Sequence, residues 1–351
     1  MKNTESLSDK QEYAAIDYAR FIAALFVVAI HISPVKEAGD HYFFWFNQIL
    51  FRMAVPFFFV TSGFFVASKI HDKYKLFLYS RKILIFYVLY TIIYFLQIIY
   101  SYLNADQKLS DFWKYFLHLF FLEGSYTQFW YFLSLLIGIW LLYLLKRCHL
   151  DDRNIVLCSG LLYGIGIVEK VYSNLFEKLP IIIKLLNDFG RELPAMRNGF
   201  LVAFPFLTIG YYIYQRKIPL CPKIYFGLFI AAFMFFNVEA FCSISIIGYE
   251  GQEMLFSTWF VTLFGFLAVC SVALKERHKQ IGGVLRNLSM LIFGFHLFVR
   301  FYAHIVFVKI CKWDLNSLEY YILMTMCTVM FSFVILKLSK RQHFSWLKWL
   351  Y

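Results

Sequence analysis

Along this chain apolar residues do not alternate with polar ones in short units; they run on for about twenty positions at a time, separated by brief polar loops, from Ala14 to Leu338. Ten such runs lie at 14–33, 49–67, 83–103, 129–145, 154–172, 199–215, 224–246, 255–274, 288–308 and 318–338. A bilayer core offers no water to unpaired backbone groups, so runs of this length are expected as helices. The pattern predicts an all-α polytopic membrane helix bundle of about ten transmembrane helices. The first run is interrupted by Arg20 and no small-residue cleavage site follows it, so it is expected to stay as a helix instead of being removed as a signal peptide.

Charge sets the expected orientation. Assigning alternate loops to one face gathers 21 basic residues there, including Lys2, Lys73, Arg147, Arg216, Arg277 and Lys348, against 9 in the opposite loops. By the positive-inside rule both termini are expected in the cytoplasm. The net charge of +12 therefore marks topology, not nucleic-acid binding. Residues 1–13 read as a cytoplasmic N-terminal segment, 14–338 as one transmembrane domain and 339–351 as a cytoplasmic tail. Two stretches break the rhythm. Residues 104–128 are aromatic yet polar enough to lie along the outer surface, and 173–198 form a long outer loop with four basic residues. Either has room for a re-entrant or interfacial helix.

With 61% hydrophobic, 22% aromatic and 16% charged residues, soluble classes are excluded. There is no GxGxxG, P-loop, HExxH or GxSxG motif. The seven cysteines lack CxxC spacing and fall mostly in apolar runs, so no metal site or disulfide framework is expected.

The polar residues inside apolar runs carry the chemistry. In "DYARFIAALFVVAIH" (17–31), Arg20 and His31 stand eleven residues apart, close to three helical turns, so both project from one face about 16 Å apart along the axis. An arginine inside a span costs a few kcal/mol and faces protein or a wet cavity. Asp17, one turn earlier, is a candidate partner, and a purely structural ion pair is the plain alternative. "FRMAVPFFFVTSGFF" (51–65) brings Arg52 at its outer start, with no acidic residue within a helical turn. Pro56 and Gly63 in it suit helix packing.

These two segments resemble the acyltransferase-3 family of bacterial integral membrane proteins: Arg20-x10-His31 in a first span reading D-x-x-R-x-x-A, then "VPFFFVTSGFF" in the second. "QFWYF" (128–132) and the late aromatic-histidine motif "FGFHLF" (293–298) extend the resemblance over most of the chain. Many members begin the former motif with His where this chain has Gln128. "RNGFLVAFPFLTIGYYI" (197–213) is similar to the membrane half of the serine racemases of vancomycin-resistant enterococci, which belongs to the same family. The chain reaches Tyr351 without a pyridoxal-phosphate racemase domain, so racemase activity is not expected.

The resemblance implies a multi-pass protein of the bacterial cytoplasmic membrane that transfers an acyl group, commonly acetyl, from a cytoplasmic acyl-CoA to a hydroxyl of an extracytoplasmic glycan or lipid-linked sugar. Acyl-CoA is a co-substrate and no bound cofactor is expected. In that chemistry His31 serves as general base, with an ordinary pKa of about 6.5. Arg20, deeper toward the cytoplasm, suits a CoA phosphate. Glu239, at a similar depth to His31, is expected to orient the imidazole. His296, Arg300 and His304 recur every four residues and form one stripe, with Arg300 either facing substrate or balancing Glu239. Arg52, Gln128, Trp130, Arg197 and Asn198 complete the candidate substrate contacts, although an aromatic belt and snorkelling also explain Trp130 and Arg197. The rival readings are a transporter for serine-like amino acids or glycan intermediates, which would call for inverted repeats with broken helices, and an inert scaffold.

Overall fold

The computed structural model describes residues 13–105, 107–171, 180–218, 221–247, 255–272, 274 and 276–351. Among them there is no strand, and helix follows helix in the order α1 (Ala14–Ile32), α2 (Asp40–Lys69), α3 (Lys73–Leu103), α4 (Phe112–His118), α5 (Trp130–Arg147), α6 (Asp152–Lys170), α7 (Pro180–Glu192), α8 (Pro194–Asn198), α9 (Phe204–Arg216), α10 (Pro222–Ile247), α11 (Phe256–Cys270), α12 (Glu276–His304) and α13 (Ser317–Leu338). The protein is an all-α polytopic membrane bundle. In its described part each predicted span falls mainly on helix, and among the described residues seven helices are long and apolar enough to cross a bilayer. The other three predicted spans lie on α6, on the π-helical stretch Gly199–Ala203 with α9, and on α11, whose 15 residues make it a shorter apolar helix.

Local chemistry sets the helix ends. Asp72 caps α3 by accepting from the N–H groups of Tyr74 (3.0 Å) and Lys75 (3.1 Å), and Asp151 caps α6 from Asn154 N–H (2.9 Å). Asn316 and Glu319 close a reciprocal capping box at α13. α1 stops where Ser33 turns left-handed (φ 58°) and donates to Ala29 O, with Pro34 following.

Two features position the site. First, α1 and α12 run side by side in the same direction: Arg286 meets Asp17 (3.8 Å) at one end and Arg300 donates to His31 O (2.7 Å) at the other, both across 269 residues of sequence. Second, the described part of 104–128 folds back along α3 and leads into α5. Its helix descends antiparallel to α3, as Tyr102 and Phe95 pack on Phe112, Phe95 on Phe116, and the Tyr87 hydroxyl donates to Phe120 O (2.5 Å). The chain then turns at Gly124 (φ 110°), where a Cβ would collide with the Trp130 backbone. It is tied at mid-helix depth by Ser125 Oγ and Thr91 Oγ1 (2.7 Å) before α5 begins. The long stretch 173–198 likewise carries helices, α7 and α8, in its described part; residues 172–179 lie outside the described residues.

Elsewhere α2 crosses α9 with backbones touching: a Cβ on Gly63 would strike Leu207 O, and one on Gly210 would strike Val60 O. The tail folds back, with Tyr90 donating to Leu350 O (2.9 Å) and Ser339 bonding the Tyr351 hydroxyl (2.6 Å). Lys73, Arg147, Arg216 and Lys337 mark one end of the bundle, here the basic end. Position 73 is expected on the cytoplasmic side. Cysteine placed there should resist a membrane-impermeant maleimide in intact cells and react after permeabilisation; labelling in intact cells would invert the topology.

Candidate active site

One turn from the far end of α1, the His31 ring lies 5.1 Å from that of His296, centre to centre, with the planes 34° apart. His296 is 2% exposed. Its Nδ1 lies 2.8 Å from Phe293 O and 3.3 Å from Ile292 O, and a carbonyl only accepts, so Nδ1 carries the proton. That leaves Nε2 as a buried lone pair with no hydrogen-bond partner among the described residues. Arg300 fixes the end of α1 through His31 O and, with Arg52, lies within electrostatic reach of the imidazole. Arg52 follows a π-helical stretch (Phe44–Leu50) in α2, a distortion that recurs at functional sites.

Toward the basic end, Arg20 borders a cavity of about 40 Å³ shared with Thr61, Ser62, Tyr131 and Ser289. Its guanidinium makes no hydrogen bond among the described residues: Nε is buried without a partner, and the nearest Asp17 oxygen is 4.0 Å from Nη1. Asp17 is shared with Arg286 (3.8 Å). Ser62 Oγ and the Tyr131 hydroxyl bond each other at 3.2 Å beside it. The α1–α12 seam thus carries polar groups at both levels that the sequence spacing sets.

Several expectations need correcting. Glu239 does not orient His31. Its carboxylate accepts from Phe256 N–H (2.8 Å), Ser257 N–H (2.7 Å) and Ser257 Oγ, capping α11 from α10, because the first turn of a helix offers unpaired N–H groups to a nearby carboxylate. Nor does Arg300 balance Glu239; its hydrogen bond goes to the His31 carbonyl. The stripe on α12 divides, since His296 and Arg300 face α1 while His304 Nδ1 lies 3.2 Å from the Tyr320 hydroxyl of α13. Arg197 is no free surface cation. It grips Glu169 of α6 with Nε 3.0 Å from both carboxylate oxygens and Nη2 2.5 Å from Oε2, while Nη1 donates to Asn198 Oδ1 (2.7 Å). A buried arginine needs its counter-charge, and Glu169, 28 residues earlier, supplies it.

Gln128 is buried and donates to the Tyr94 hydroxyl (3.1 Å). That hydroxyl also donates to Gly294 O (2.8 Å) and accepts from Phe298 N–H (2.8 Å), which ties α3, α12 and the loop before α5 together on either side of His296 in the sequence. Trp130 packs on Phe59 (6.2 Å). The residues missed by the sequence are Tyr94, Tyr131, Ser62, Ser289 and Glu169.

The family model described as an acyltransferase domain matches residues 13–349. The chain belongs to the acyltransferase-3 family. It is a multi-pass membrane protein of that acyltransferase family. Among curated proteins, an amino-acid racemase of Enterococcus faecalis is 25% identical over 348 residues, covering 95% of this chain and 47% of the relative. A second amino-acid racemase of the same organism is 32% identical over 212 residues, 59% of this chain and 29% of that protein. A serine/alanine racemase of Enterococcus gallinarum is 28% identical over 209 residues, 58% of this chain and 29% of its own length. This chain thus spans less than half the length of the curated relatives it matches. No solved structure matches it.

Proposed function

We propose that this acyltransferase-3 member moves an acetyl group from cytoplasmic acetyl-CoA to a hydroxyl of an extracytoplasmic cell-wall or surface glycan, with His31 as general base. The observation that carries the reading is the α1–α12 seam. It holds an arginine that makes no hydrogen bond among the described residues near the basic end and a histidine pair near the far end, so a donor reaching in from the cytoplasm and an acceptor arriving from outside would meet along one line.

At the far end His31 takes the proton of the acceptor hydroxyl as its oxygen attacks the thioester carbonyl. The tetrahedral intermediate collapses, the C–S bond breaks, and His31 returns the proton to the departing CoA thiolate. Arg52 and Arg300 add positive charge where the oxyanion develops. No carboxylate orients His31 among the described residues. His296, with its proton held on Nδ1 by backbone carbonyls, offers the adjacent Nε2 lone pair in that part. Near the basic end Arg20 receives the phosphate-bearing portion of the donor.

Mass spectrometry of cell-wall and capsular glycans from cells with and without the gene tests the reaction class. Loss of a 42-dalton acetyl increment, about the mass of C2H2O, is expected in the deletion strain and should return with the parental gene. Identical glycan spectra would reject acetyl transfer to these acceptors.

A further inference from the structure

Between the last turns of α3 and the segment 115–127 lies a cavity of about 320 Å³ that no step above uses. This is within the range of small-molecule pockets, about 300 to 1,000 Å³. Its chemistry differs from the rest of the bundle. Along α3 the hydroxyls of Tyr87, Tyr90, Thr91, Tyr94 and Tyr102 are all hydrogen-bonded within the protein, as is that of Ser125 in the cavity lining. The hydroxyls of Ser101, Tyr115, Tyr126 and Thr127, which line it, make no hydrogen bond among the described residues. Glu123 adds a carboxylate, 44% exposed, that contacts His118 Nδ1 through Oε1 (3.2 Å). No lysine or arginine lines the cavity.

Four free hydroxyls, two of them on aromatic rings, and one carboxylate suit a neutral ligand rich in hydroxyl groups. A carboxylate accepts from adjacent sugar hydroxyls, serine and threonine both donate and accept, and a phenol ring packs against the C–H face of a pyranose. An anion would find no counter-charge, and an apolar chain would leave the polar groups unpaired. The cavity borders the segment that braces α12: the Tyr126 ring lies 4.6 Å from that of Tyr94, whose hydroxyl bonds the Gly294 and Phe298 backbone two residues to either side of His296. Ser101, Tyr115 and Thr127 are exposed at its mouth, at the far end of α3.

We infer that this cavity is a carbohydrate subsite, holding a neutral sugar unit next to the one that reacts, with Tyr115 and Tyr126 as walls and Glu123 as hydrogen-bond acceptor. The inference rests on the glycan-acceptor reading and names the part of the chain that grips the acceptor. Binding tests it without any acyl donor. The full chain in nanodiscs is probed by saturation-transfer NMR with chitotetraose and maltotetraose. The parent should saturate the pyranose ring protons of one or both, and Glu123→Gln and Tyr115→Ala should each weaken binding about tenfold, with unfolding temperatures matching the parent. Inorganic phosphate should not displace the sugar. No saturation of either tetrasaccharide, equal binding by parent and well-folded variants, or displacement by phosphate would each overturn the subsite. Binding that behaves as expected in a chain whose cells show unchanged glycan acetylation would keep the subsite and remove the proposed reaction.

Discussion

His31→Ala lowers acyl transfer by about 10² to 10⁴, the contribution of a positioned acid or base, while the protein still inserts and purifies as the parent does. Insertion is safe because removing a polar side chain from an apolar helix does not oppose the membrane phase. Folding is safe for a separate reason. Among the described residues the His31 side chain makes no hydrogen bond, and its backbone carbonyl, which accepts from Arg300, survives the substitution. The side chain contributes a ring contact with His296, whose pair term is worth about 0.5 to 1.5 kcal/mol beyond the area it buries. The measurement is acetyl transfer by purified protein at saturating acetyl-CoA, alongside donor binding. The rate should fall while donor affinity stays at the parental value, since donor contacts belong to Arg20. A purely structural His31 gives the opposite result, a less stable protein whose folded fraction works at the normal rate. Transfer at the parental rate by purified His31→Ala would refute the mechanism.

The sequence made the long-range geometry of this site legible only in one dimension. Spacing along α1 placed Arg20 and His31 on one face at two depths, and the four-residue repeat on α12 placed His296 and Arg300 together, because helical periodicity is local and rigid. Which helix meets α1 is a tertiary fact, and depth alone chose the wrong partner: Glu239 shares a level with His31 yet caps α11. The same limit hid Glu169, which reads as a polar residue near the end of an apolar run until α8 brings Arg197 against it. Tyr94 could not be singled out among 25 tyrosines, although its hydroxyl joins three segments behind His296. The stretch 104–128 gave a partial signal. Its aromatic but polar composition ruled out an ordinary span, whereas its depth depends on Gly124 and on the Thr91–Ser125 hydrogen bond.

Arg20→Lys separates the two roles open to the buried charge. If the charge served only to pair with Asp17, an ammonium would serve nearly as well, because a single carboxylate oxygen 4.0 Å away demands no fork geometry. The structure shows a guanidinium whose Nε is buried without a partner, beside a small cavity walled by hydroxyls. Such a group holds two or more N–H donors ready for an anion that presents several oxygens, and phosphate accepts them in parallel. Lysine keeps the positive charge but offers a point charge on a flexible stem. Losing one or two charge-assisted hydrogen bonds, about 1.5 to 3 kcal/mol each, raises the KM for acetyl-CoA by at least about tenfold. Thermal unfolding should stay close to the parent, since the long contact with Asp17 is retained in kind. A variant with parental KM and parental rate would show that Arg20 holds the helix together and does not touch the donor.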